Sequence, residues 1–299
     1  MNQEEVVIYP EITKLYKYQS YNINSISSLI NKVIWAAKPT TFNDPFDCAV
    51  SLIPELERKS LLKLLISHLE NKNKKDKKTE AMIELLNRAL NDPDKYFEDL
   101  QEYNELVESL RNINEEAIKH IGVISLSALD DNMLMWSHYA DQHQGFCVEF
   151  NRDKHNSLGS KKTLPVRYTH KLPKFRLEDL LGSASKERQE ILHSMVLSKA
   201  LDWSYEQEWR YLNECGNVLV NLNSKITGII FGARMPQIHR DTLIEVVNKY
   251  HTNVSFKEVR LKSDGFGLEV IDYAPKESTS SSKEQKNIED KLQLIKFDS

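Results

Sequence analysis

The run Asn132–Phe150, NMLMWSHYADQHQGFCVEF, changes period half-way along. Its first part is spaced as a helix: Leu134, Ser137 and His138 share one face, and Met135, Tyr139 and Gln142 share the next. Gly145 is expected to end that helix, because glycine alone takes a positive φ without a steric penalty. From Phe146 the period becomes two, which predicts a strand with Phe146, Val148 and Phe150 on one face. A helix that delivers Trp136, His138, Tyr139, Asp141 and His143 to the start of a buried strand can build a site. The same arrangement can simply pack a core, and spacing alone leaves both readings open.

On either side of this run the chain reads mainly as strands. Val123–Leu126 is a strand that leads through Ser127 into the run, and Ile12–Ser20 and Lys32–Ala36 are two earlier ones. They flank a short helix over 25–31, with Asn24 or Ser25 as its cap. Downstream, Pro165–His170 reads as a strand, 175–200 as helix, Trp209–Leu212 and Ile226–Phe231 as strands, and Gln237 to His251 as helix. Val254–Leu261 and Gly267–Tyr273 form a closing hairpin. Residues 55–120 differ, with leucines at helical spacing broken by Asn71–Lys78 and by Asp92-Pro93. They predict an insertion of three or four helices, and the lysine run within it, which has no interleaved aromatics, predicts a solvated loop. The expected fold is α+β: a mixed, largely antiparallel sheet flanked by helices, in one domain over 1–275 with a helical insertion at about 55–120. Residues 276–299 read as a polar linker and a short amphipathic tail, either disordered or docking on a protein partner.

Composition narrows the classes. The 299 residues are 40% hydrophobic and 28% charged, with a net charge of −4, which speaks against binding nucleic acid through overall charge while leaving room for a local basic groove. No apolar run approaches the length of a membrane span, and the acidic start MNQEEVVIYP has no signal-peptide core. Cys48, Cys147 and Cys215 are scattered and odd in number, as expected of a reducing cytoplasm. The expectation is a cytoplasmic protein with no membrane association.

Three clusters carry the candidate chemistry. They are the loop Phe42-Asn43-Asp44-Pro45-Phe46-Asp47, the helix Trp136-Ser137-His138-Tyr139-Ala140-Asp141, and the segment Trp203-Ser204-Tyr205-Glu206-Gln207-Glu208-Trp209-Arg210. Each sets carboxylates beside large aromatics, where desolvation raises pKa and suits proton transfer or cation stabilisation. The loop reads either as an Asx-type turn anchored by Phe42 and Phe46, or as a presenter of Asn43, Asp44 or Asp47. Glu206 and Glu208 share a face if they lie on a strand and diverge by about 200° on a helix. Arg210 could pair with either. His138 and His143 are five apart rather than four, so no metal spacing is present and no metal is assigned. Ser125 and Ser127 lack a nucleophile elbow.

Four ordered motifs, Leu15-Tyr16-Lys17-Tyr18, Phe42–Asp47, Met135–Ala140 with Gly145, and Trp203–Arg210, resemble the bacterial DUF2971 family, a domain of unknown function, over most of residues 12–235. A more distant likeness is to ADP-ribosyltransferases. That likeness implies a first-strand residue that holds NAD (Lys17 or Tyr18 here), a second-strand serine (Ser125 or Ser127) and a late Glu-x-Glu pair, Glu206 and Glu208. The first strand carries Lys14 and Lys17 where those enzymes have Arg or His.

The expectation is therefore an NAD-consuming, ADP-ribosyltransferase-like enzyme, suited to a bacterial toxin or phage-defence effector, with NAD as substrate. Glu208 would stabilise the transition state, Glu206 would orient the acceptor, and His138 would complete the catalytic set. Tyr18, Lys17, Asn43, Asp44, Ser127, Trp136, Tyr139 and Arg210 would bind substrate. Two alternatives stand beside it: a metal-dependent nuclease or hydrolase using Asp44, Asp47, Asp141 and His138, and a non-catalytic binding module of a defence system. Convergence of Glu206, Glu208 and His138 on one open pocket would favour an enzyme.

Overall fold

The computed structural model describes residues 11–49, 51–53, 56–70, 76–97, 100–177 and 185–274. The predicted linker and tail, 276–299, lie outside the described residues. The chain begins with β1 (Lys14–Gln19), α1 (Ile23–Asn31), β2 (Ile34–Ala36) and β3 (Ser51–Ile53). The helical block follows as α2 (Arg58–Glu70), α3 (Lys77–Ala89), α4 (Pro93–Tyr96) and α5 (Leu100–His120). Next come β4 (Gly122–Ser127), α6 (Met133–Tyr139), β5 (Phe146–Asn151), β6 (Thr163–Pro165), β7 (Arg167–Thr169) and β8 (Lys174–Arg176). Then follow α7 (Ser185–Val196), β9 (Ser198–Ala200), β10 (Glu208–Asn213), β11 (Val218–Val220) and β12 (Ile226–Phe231). The last elements are α8 (Gln237–Tyr250), β13 (Ser255–Leu261) and β14 (Leu268–Asp272).

The fold is α+β. Its main sheet has eight strands among the described residues, in the order β14-β13-β12-β5-β1-β4-β10-β6. Every pair is antiparallel except β12 with β13. The predicted strand at β5 is its centre, and the period-two alternation divides the strand between two cores. Phe146, Val148 and Phe150 face the larger core, with Leu15, Ile124, Phe231 and the α8 residues Leu243 and Val247. Cys147 faces the other side, with Tyr18, Trp136 and Ile230 under α6. The helices of 58–120 bury their own leucines (Leu61, Leu62, Leu86) around Phe97 and Val107.

One irregularity in the sheet matters for function. β1 pairs with β5 over six residues, and β4 pairs with β10 over six. Between β1 and β4 the register is a single pair, Tyr16 with Ser127. Beyond that pair the strands part, and at Val123 the free edge of β4 is taken over by Ala37, through two backbone hydrogen bonds of 2.9 and 2.8 Å. The sheet is thus split along half of this seam. α1 lies beside the gap, with Asn24, Ser25 and Ser28 facing the space there. It is started by a reciprocal capping box between Asn22 and Ser25, so Asn22 is the cap rather than Asn24 or Ser25.

Two other expectations are corrected. The helix predicted to run to Gly145 ends at Tyr139, and Asp141, Gln142 and His143 are all left-handed, with φ of 47°, 53° and 70°. Backbone bonds from His143 to Trp136 (3.1 Å) and from Arg234 to His143 (2.9 Å) hold that turn. Gly145 has no positive φ; glycine is needed because a Cβ there would collide with the Gln19 carbonyl and with Ala140. The helix predicted over 175–200 is divided into β8, α7 and β9, because β9 leaves the helix to pair in parallel with β7.

Candidate active site

The split between β1 and β4 opens into a cavity of about 630 Å3, a size typical of small-molecule sites. Lys17 reaches from β1 into the gap, where its Nζ donates to the Ser125 carbonyl at 2.7 Å. That bond serves a carbonyl on the stretch of β4 that has no strand partner on this side. Burial pulls the Lys17 pKa down, against the attraction of Glu208 and Glu206.

The WSYEQEWR segment enters the cavity through a change of structure between its two glutamates. Leu201–Glu206 is a 3-10 turn, Gln207 is left-handed with φ 41°, and Glu208 begins β10. This kink turns both carboxylates toward Lys199, which donates to Glu206 at 2.5 Å and to Glu208 at 3.0 Å. Asp47 lies 3.4 Å from the same ammonium. Beneath them Arg210, fully buried, donates to both oxygens of Glu208 (2.8 and 2.9 Å) and to both of Asp47 (2.7 Å each). Its remaining donors reach the Val196 carbonyl at 2.6 Å and the Cys48 sulfur at 3.0 Å.

Charge balance explains how so many ions stay buried. Lys199 pairs with Asp47, Glu206 and Glu208, Arg210 with Asp47 and Glu208, and the Tyr139 hydroxyl adds a donor to Glu206. The two glutamates differ in acidity. For Glu208 burial works against ionisation, but Arg210 and Lys199 overcome it and bring the pKa down to about 2. For Glu206 burial prevails over Lys199 and Tyr139, and the pKa rises. The pair is thus split, with Glu208 held acidic by its cations and Glu206 shifted the other way by burial, the kind of separation that acid–base chemistry uses. The Cys48 thiol is pushed up to about 12 by burial, against the pull of Arg210, and is inert.

α6 supplies the other wall. Its N-cap, Asn132, accepts from the Leu134 and Met135 amides and donates 2.9 Å to the Tyr205 carbonyl, tying the helix to the glutamate turn. Tyr139 donates to Glu206 at 2.7 Å and sits beside Asn43. Ser127 donates 2.6 Å to the Glu206 backbone carbonyl, so its hydroxyl fixes the turn.

Eight of the eleven residues singled out in the sequence line this one cavity: Lys17, Tyr18, Asn43, Ser127, His138, Tyr139, Glu206 and Glu208. His138 is exposed at the rim. The other three lie off the lining. Trp136 is completely buried, edge-on to Tyr18, with its Nε1 on the Asp130 carbonyl at 2.8 Å. Arg210 lies below the floor. Asp44 accepts from the Phe46 amide at 2.9 Å, an Asx turn, and Phe46 is 68% exposed rather than an anchor. Sequence reasoning missed Lys199 and Trp35, both in the lining. The cue for Lys199 was a lone charge in the run Met195–Leu201, seven residues ahead of Glu206. The donor set considered for a metal does not assemble: Asp47 is held by Arg210, Asp141 is exposed on the left-handed turn, and no three His, Cys, Asp or Glu side chains group for an ion among the described residues. Among the described residues no helix is long and apolar enough to cross a membrane.

No curated protein and no solved structure matches this chain, so the ADP-ribosyltransferase likeness gains no support from comparison. Residues 135–211, from α6 to the middle of β10, match the model of the family described as "Protein of unknown function (DUF2971)", and this similarity takes in His138, Tyr139, Lys199, Glu206, Glu208 and Arg210 but not the β1 or Phe42–Asp47 motifs.

Proposed function

We propose that this chain is an enzyme that breaks the N-glycosidic bond of NAD and passes the ADP-ribosyl group to water or to an acceptor hydroxyl. The observation that carries this reading is the meeting of Glu206 and Glu208 at Lys199 on the wall of an aromatic-rimmed cavity. The carbon–nitrogen bond breaks with its electron pair going to the nicotinamide ring, which leaves uncharged, and positive charge develops on the ribose carbon. Glu208, ionised at all ordinary pH, opposes that charge. The acceptor oxygen bonds to the ribose carbon, and its proton passes to Glu206, whose raised pKa suits a base. Tyr139 holds Glu206 in place, and Lys17 is a cation for the pyrophosphate. Trp35, Phe42 and Tyr139 offer ring faces to nicotinamide. Such a reaction suits a toxin or defence effector that drains NAD.

Convergence on one cavity favours this reading over a binding module. Purified protein incubated with NAD, with and without cell extract, should release nicotinamide. Glu208→Gln should lower the rate roughly 10²–10³-fold, the usual effect of removing one transition-state stabilising group, while the variant stays folded by circular dichroism. Absence of release under every condition, or release indifferent to Glu208, would sink the proposal.

A further inference from the structure

A second cavity, of about 480 Å3, shares Gln19, Ser28 and Ile34 with the first and lies among α1, the end of α8 and residues 221–227. Its floor is apolar, formed by Leu29, Val148, Phe150, Leu222 and Ile226. Its rim carries hydroxyls and amides from Asn221, Ser224, Tyr250, Thr252 and Asn253. No aspartate or glutamate lines it, whereas Lys32 and Lys225 do. In a chain of net charge −4 this is a local reversal of sign.

Three details bear on what it holds. Lys32 is left-handed, φ 56°, at the C-cap of α1, a position usually given to glycine or asparagine. His251 Nε2 lies 2.8 Å from the Leu29 carbonyl, so the ring is fixed as part of the wall. Gln19 Oε1 is buried without a hydrogen-bond partner among the described residues, and a buried acceptor calls for a donor. An anionic head, a flat apolar body and one outward N–H or O–H would answer the lysines, the floor and Gln19 together.

We propose that this cavity binds the monophosphate ester of a small flat organic group, a nucleoside monophosphate being the simplest member of that class. Lys32 and Lys225 meet the phosphate at the mouth, the ring system lies on the Leu222–Phe150 floor, and Gln19 accepts from its exocyclic amine or a sugar hydroxyl. A fatty acid would use the floor and the lysines but leave the polar rim and Gln19 unanswered. The inference stands apart from the reaction assigned to the neighbouring cavity.

The test is calorimetric titration of AMP into the full chain and into the double variant Lys32→Glu, Lys225→Glu. Both lysines are exposed, so the variant should keep the wild-type circular dichroism and Tm; Lys32→Gln, Lys225→Gln serves if it does not. Wild type should bind AMP at a saturable site, and charge reversal should weaken binding at least tenfold. No saturable binding would overturn the proposal. So would binding indifferent to charge reversal, which would move AMP elsewhere on the molecule, or tight binding of hexanoate without AMP.

Discussion

Arg210 joins more of the site than any other single residue. It is buried to the last atom and pairs with Glu208 two residues away and with Asp47 163 residues away. Removing one partner of a buried ionic set leaves uncompensated charge and costs about 3–5 kcal/mol. Urea unfolding of Arg210→Ala should therefore show a loss on that scale, and a change under about 1 kcal/mol would contradict the geometry. Glu208 adds a pH signature. Its folded pKa, about 2, lies below its ordinary 4.5, so the stability it supplies is present above pH 4.5 and is lost as pH falls toward 2. Glu206, whose pKa is raised, has the opposite sign: its contribution is present at low pH and fades as pH rises through the raised value. The stability gap between wild type and Glu208→Gln should be wide at pH 6 and narrow at pH 3 in urea titrations; a gap of equal width at both would show that Glu208 is not held by its cations. The acidic pair was legible because both glutamates stand between Trp203 and Trp209 in the sequence. Lys199 and the Asp47–Arg210 bond were not, because each depends on a contact that only the folded sheet creates.

At the scale of elements, most strands and the Asx turn at Asp44 were legible, and the left-handed turns were not. Period-two runs such as Ile226–Phe231 mark a strand wherever one face is buried, whereas a left-handed turn leaves no periodic trace. Asp141, Gln142 and His143 show this, for the helical spacing runs straight through them while the chain has already turned. Gly145 illustrates a second limit, since a glycine required by a close approach looks the same in sequence as one required by φ. Gly145→Ala should destabilise by about 1–3 kcal/mol through overpacking against Gln19 and Ala140; thermal melts would read this as a fall in Tm, and an unchanged Tm would count against it. Asn132→Ala should cost about 1 kcal/mol from the lost cap. It should also loosen Tyr205 and the glutamate turn beyond the helix itself. Hydrogen exchange at Tyr205–Gln207 would report the second effect, and protection equal to wild type there would show that the cap does not steady the turn.

For the whole molecule, the α+β class followed from strands on both sides of a helical block, but the split seam did not. Nothing in Lys14–Gln19 or Gly122–Ser127 announces that two good strands will pair at one residue only. The parting of β1 and β4 turns a continuous sheet into one with an opening, and three distant motifs reach that opening from different sides. The central claim is that NAD is cleaved there. Crystals of Glu208→Gln soaked with NAD test it most directly. The expected result is density for the intact dinucleotide between β1 and β4, with the nicotinamide ribose against Glu206 and the substituted position 208. Density for NAD elsewhere, or none at saturating concentration, would contradict the account.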